Sequence, residues 1–171
     1  MNTFKDNCYR LSGWLSGLFI VAITLLLLAQ IIGRLFGFIV PSAEDFAGFS
    51  LAASTFLGLA YTFREGGHIR VTLVIQQFKH GKRRAQEGVV LSLGLALSGF
   101  VAYSCCYMLF ESYIYDETSY GYIPVPLWIP QLTVAIGAIA LTLAVFDAWL
   151  SVIRGDSPNY MKHEDSLSLE E

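Results

Sequence analysis

Apolar positions fall into four long runs, Leu15–Phe38, Phe46–Phe63, Val89–Phe110 and Leu127–Val152, and polar positions collect between them. A helix needs about 20 predominantly apolar residues to cross the hydrocarbon layer, so each run predicts a transmembrane helix. No acidic, basic or histidine residue lies near the middle of any run. Charges inside spans mark ion paths, proton relays and substrate sites. Their absence predicts a chain that works with a partner and carries no pathway of its own. No inverted internal repeat is visible and no proline interrupts a run at mid-depth, which argues against a stand-alone secondary transporter. The expected fold class is an all-α membrane protein with four transmembrane helices, residues 1–155 forming one domain. Residues 156–171 are polar and acidic, a composition that predicts a disordered cytoplasmic tail.

Finer patterns lie within and between the runs. Gly13 and Gly17 open the first run, and Gly33 and Gly37 close it, at the spacing that lets helix backbones approach. Gln30 and Arg34 share a helix face one turn apart. Pro41-Ser-Ala-Glu-Asp45 starts the second span, with Ser42 as N-cap and Asp45 three residues on. Arg34 is the nearest cation to Glu44 and Asp45, so an ion pair is expected there; simple capping by the carboxylates is the other reading. In the second span Ala47, Ser50, Ser54, Gly58 and Thr62 form a stripe of small side chains, with Phe49, Phe56 and Phe63 nearly opposite. The small stripe suits close packing. The phenylalanines suit lipid, a partner's groove, or the chain's own bundle. Gly66 or Gly67 ends this span. Ile69 to Phe78 then has helical apolar spacing, which predicts a short interfacial amphipathic helix between spans two and three; an ordinary loop is the alternative. Gly94, Ser98 and Gly99 are small contact positions in the third span, and Ala140, Ala144 and Ala148 in the fourth. Between those spans lies an aromatic, proline-rich loop from Tyr113 to Trp128.

Charge sets the orientation. Ten of the eleven lysines and arginines lie before the first span, between spans two and three, or after span four. Arg34 is alone on the other side. Loop cations favour the cytoplasm, so both termini and the central loop are expected there. The cluster Lys79-His-Gly-Lys-Arg-Arg84 is a topology signal that attracts anionic headgroups, not a nucleic-acid site, because it sits between two spans. Lys79, Lys82, Arg83, Arg84 and the boundary residue Trp128 are the expected lipid-headgroup contacts. Cys105 and Cys106 are adjacent inside span three and Cys8 lies on the expected cytoplasmic side, which makes no disulfide framework. The first run is long for a secretory signal and lacks a small-x-small cleavage site. There is no phosphate-binding glycine loop, HExxH or CxxC pair. The three histidines lie outside the spans, which leaves no ligand set for a membrane haem. No catalytic residue, cofactor or metal site is expected.

These elements together resemble the small membrane subunit, DctQ type, of tripartite ATP-independent periplasmic (TRAP) transporters. The resemblance rests on Ile-Gly-Arg34, Ala43-Glu-Asp-Phe-Ala47, Phe56-Leu-Gly58, and Arg64 followed by His68-Ile-Arg-Val71, in this order around a basic central loop. It covers nearly the whole chain. Two departures are Pro41-Ser42, where the family often has tryptophan before the acidic pair, and Thr72, where it often has aspartate. The resemblance implies a location in the bacterial inner membrane and two protein partners, a large multi-span membrane subunit and a periplasmic substrate-binding protein. It implies sodium-driven import of an organic acid, with sialic acid the first candidate among carboxylates, and a small subunit that braces the large one. Arg34, Glu44, Asp45, Phe49, Ser54, Phe56, Gly58, Arg64 and His68 are then the candidate scaffold interface. Tyr115, Asp116, Glu117, Tyr120 and Tyr122 are the candidate docking loop for the binding protein. The rival readings are a stand-alone small transporter or channel, and a structural four-span protein.

Overall fold

The computed structural model describes residues 3–64 and 80–154, with side-chain environments for residues 7–63 and 88–153. Helix α1 spans Thr3–Leu35, α2 Ala43–Arg64, α3 His80–Ile114 and α4 Trp128–Arg154. All four contain segments long and apolar enough to cross a membrane: Asn7–Leu35, Ala43–Phe63, Gly88–Ile114 and Trp128–Ile153. Among the described residues the regular structure is thus helical, with four helices long and apolar enough to span a membrane. The interfacial helix expected over 69–78, the glycine cap before it, His68, Lys79 and the tail from 155 lie outside the described residues.

The turns at one end explain the helix boundaries. Helix α1 stops three residues before its apolar run does. Gly37 adopts φ 80°, its N–H donates to the Arg34 carbonyl (3.3 Å), and the Phe38 N–H donates to the Gly33 carbonyl (3.0 Å). This is a Schellman cap, which needs a left-handed residue at Gly37 and a contact between Phe38 and Gly33. A Cβ on Gly33 would lie 2.9 Å from the Phe38 ring. Gly33 and Gly37 therefore end a helix and do not pack one helix on another, as their spacing had suggested. Gly13 does serve close approach, since a Cβ there would meet the Tyr61 ring at 2.9 Å. Helix α4 begins with Pro130 in its first turn, where a missing N–H costs nothing.

The helices pack as an open row in the order α1, α2, α4, α3. The principal contacts are α1 on α2, α2 on α4, and α4 on α3. Small residues bring the two inner helices together. Gly137 of α4 sits so close to the Phe56 backbone that a Cβ would lie 2.6 Å from its carbonyl carbon. Ala135 and Ala138 beside it are fully buried, with Val134, Ala102 and Cys105, and Phe56 covers them from α2. Toward the chain termini, Leu91, Ala148 and Val152 form a second cluster under Phe63. There Tyr9 of α1 reaches across to Ala60 and Ala144. The edge helices α1 and α3 keep most of their leucine, isoleucine and phenylalanine side chains exposed. In a bilayer that exposure has a low cost, because hydrocarbon is as apolar as the side chains themselves.

Candidate functional site

The end of the row that carries the 36–42 and 115–127 connections, here the loop end, holds the polar groups. Helix α2 starts beneath these connections. The Ser42 carbonyl accepts the first helical bond, from the Phe46 N–H (3.1 Å). Its hydroxyl does not cap the helix as expected. Ser42 has φ 54°, and its Oγ accepts the Ile123 N–H at 2.9 Å. The serine that starts α2 thus ties down a loop 81 residues away in sequence.

That loop is folded, not merely aromatic. Thr118 and Pro126 form an isolated antiparallel bridge. The Ser119 N–H donates to the Val125 carbonyl (2.8 Å) and the Leu127 N–H to the Glu117 carbonyl (2.9 Å). At its base Ser112, 1% exposed, donates to Glu117 Oε2 (2.6 Å) and accepts from Gln131 Nε2 (2.9 Å). The tip brings Gly121 against the Asp45 carboxylate and Ser42 Oγ, where no side chain would fit. Tyr120 and Tyr122 flank the tip and point fully into the surroundings.

Together these elements enclose a cleft of about 680 Å³ lined by Arg34, Gln30, Glu44, Asp45, Tyr120 and Tyr122, with Phe38, Ile39 and Val40 as its apolar wall. The expected ion pair between Arg34 and the carboxylates does not form. Gln30 Nε2 donates to Glu44 Oε1 instead, at 2.9 Å. The antiparallel register accounts for this. Gly13 faces Tyr61 and Gln30 faces Glu44, so Arg34 falls opposite position 40, in the connection beyond the first turn of α2. The guanidinium and the two carboxylates therefore face one cleft without meeting. Such a surface can hold a polar or charged partner group by complementary charge and hydrogen bonds.

The remaining candidates are dispersed along the chain. Ser54 and Gly58 lie in the α1–α2 contact: Ser16 Oγ donates to the Ser54 carbonyl (2.9 Å) and lies 3.2 Å from Ser54 Oγ, while Gly58 leaves room for Ser16. Phe56 and Phe63 are occupied against α4 and α3, and Phe49 stands edge-on to Phe46 at 6.4 Å. Tyr115, Asp116 and Glu117 are exposed at the loop base, with Asp116 at φ 48°. Trp128 stands edge-on to Tyr113 at 6.1 Å, as boundary aromatics do. Arg64 ends α2, and Lys82, Arg83 and Arg84 lie in the first turns of α3. The sequence reading missed Ser16, Tyr61, Ser112 and Gly137. Only Gly137, a lone glycine beside the alanine stripe, left a trace that periodicity could have caught.

A family model described as "Tripartite ATP-independent periplasmic transporters, DctQ component" matches residues 23–155, from the middle of α1 to the end of α4. No curated protein matches the chain.

Proposed function

Since the chain belongs to the DctQ component family of tripartite ATP-independent periplasmic transporters, we propose that it braces a separate large membrane subunit that imports an organic acid. The family is a transporter component and the chain is its small, multi-pass membrane subunit. The single observation that carries the bracing role is the dry interior. Helix α3 has no acidic, basic or histidine residue from Gly88 to Phe110, and α4 has only Asp147 and the terminal Arg154, both toward the same end. Charged groups at mid-depth mark cargo and ion pathways, and their absence here supports placing that chemistry on another chain. Import is driven by sodium and the substrate is a carboxylate such as sialic acid, delivered by a periplasmic binding protein. The transport subunit moves as an elevator, and this chain stiffens the part that stays still. The cation distribution supports a periplasmic loop end and cytoplasmic termini in the bacterial inner membrane. The tip around Tyr120 and Tyr122, with Tyr115, Asp116 and Glu117, faces the binding protein. Arg34, Glu44 and Asp45 present the cleft beside it to either partner. Lys79, Lys82, Arg83 and Arg84 hold anionic headgroups on the other side.

A tagged copy purified in mild detergent should bring a large multi-span protein with it. Proteoliposomes should then take up solute only with both membrane chains, the binding protein and a sodium gradient. Solute flux by the purified small chain alone would refute the proposal.

A further inference from the structure

Two phenol groups on α3 sit where a lipid bilayer has nothing to offer them. Tyr103 is 68% exposed and Tyr107 58%, and their rings stack on each other at 6.5 Å. Among the described residues neither hydroxyl has a hydrogen-bond partner. Their depth follows from the boundary pair Tyr113 and Trp128. Tyr103 lies ten residues below Tyr113, or about 15 Å along a helix. That is half of a hydrocarbon layer about 30 Å thick. The Cα–Cβ bond tilts toward the helix N-terminus, which carries the Tyr103 ring further from that boundary. The other end of the span, Gly88, is fifteen residues away, about 22 Å, so the hydroxyl reaches neither surface. Facing lipid tails, it would stay unpaired, which is unfavourable.

We infer that the α3 face bearing Tyr103 and Tyr107 is covered by a transmembrane helix of the large membrane subunit, which accepts a hydrogen bond from Tyr103 near the middle of the bilayer. This rests on the bracing role proposed above. The shape of the face argues against a second copy of this chain. One turn below Tyr103, Gly99 has nothing within 4 Å, which leaves a notch under the stacked rings. Two copies related by a two-fold axis along the membrane normal present the same groups at the same depth. Rings would then meet rings and notch would meet notch. A different helix can place a bulky side chain in the notch and an acceptor opposite the phenol.

The test uses the intact complex in native membranes with p-benzoylphenylalanine at position 103, and at the exposed position Leu25 of α1 for comparison. Illumination should join this chain to the large subunit from position 103 well above the level from position 25. Adducts with a second copy, with lipid alone, or none at all, from a complex that otherwise co-purifies, would overturn the inference while leaving the bracing role intact. Failure of the wild-type chain to capture any large membrane protein would overturn both. Tyr103→Phe, which keeps the ring, should weaken co-purification about three- to eighteenfold, the range for a hydrogen bond between membrane helices. Gly99→Leu should weaken it as much or more without lowering the melting temperature of the isolated chain. Unchanged capture in both variants would count against the assignment.

Discussion

Two glycines in helix interiors should respond to the same substitution with opposite sign. Gly137→Ala places a Cβ 2.6 Å from the Phe56 carbonyl carbon and 2.8 Å from its oxygen. Ordinary contact begins at 3.4 Å, and the obstacle is backbone, so α2 and α4 must separate by roughly 0.6–0.8 Å. The separation loosens Ala135, Ala138 and Phe56, the centre of the largest buried cluster. Overpacking of this kind costs about 1–3 kcal/mol. Alanine at 137 also gains up to about 1 kcal/mol of helix propensity, so the net loss is up to about 2 kcal/mol. For a chain of this length each kcal/mol moves the midpoint by about 2–4 °C, and a fall of up to about 8 °C is expected. Gly48, in α2, has nothing within 4 Å. There Gly48→Ala gains only helix propensity, up to about 1 kcal/mol, and the midpoint should hold or rise. The assay is thermal unfolding of the purified chain in mild detergent, followed by size-exclusion chromatography or circular dichroism. A Gly137→Ala midpoint equal to or above that of Gly48→Ala, where only the propensity gain operates, would refute the close α2–α4 approach.

Three further outcomes are expected. Ser16→Ala and Ser54→Ala should each destabilise the α1–α2 pair, and the double variant should cost less than the two singles together. The coupling in that cycle should be about 0.6 kcal/mol, the average between membrane helices, and strict additivity would remove the serine pair as a fastener. Ser42→Gly keeps a backbone that tolerates φ 54° but deletes the Oγ that holds Ile123. Amide exchange at Ile123 should accelerate while the α2 core stays protected; equal protection at Ile123 would mean the loop holds itself. Asp116→Lys reverses an exposed charge at the loop base without touching the Ser112–Glu117 bond. Reconstituted uptake should need more binding protein to reach half its maximal rate, and an unchanged titration would reject docking at this loop.

The four spans were legible because apolar length is a one-dimensional property. So was the start of α4, since a proline in the first turn is a local rule. Helix order was not, because it depends on which small residue faces which neighbour. Phe56 and Phe63 read equally well toward lipid, a partner or the bundle; the position of Gly137 beneath Phe56, and the Leu91, Ala148 and Val152 cluster under Phe63, decide for the bundle. The glycines at 33 and 37 carried the spacing of a packing motif, but a left-handed φ at Gly37 gave them a different task. At the loop end the charged residues were legible and their pairing was not. Sequence proximity favoured Arg34 with Glu44, whereas the antiparallel register delivered Gln30. The seat of the loop on Ser42 joins residues too distant for any local pattern to reveal.

The open row has a mechanical consequence. Four helices side by side, with axes about 8–10 Å apart and each about 10 Å across, make a slab about 34–40 Å wide and one helix thick. A closed square of the same helices would spend its inner faces on itself. The slab keeps two broad sides free, so it can lie against a neighbour and still meet hydrocarbon on its back. If the chain braces a larger subunit as proposed, such a slab would act as an outrigger, widening the footprint of what it joins and resisting tilt when a moving part pushes past.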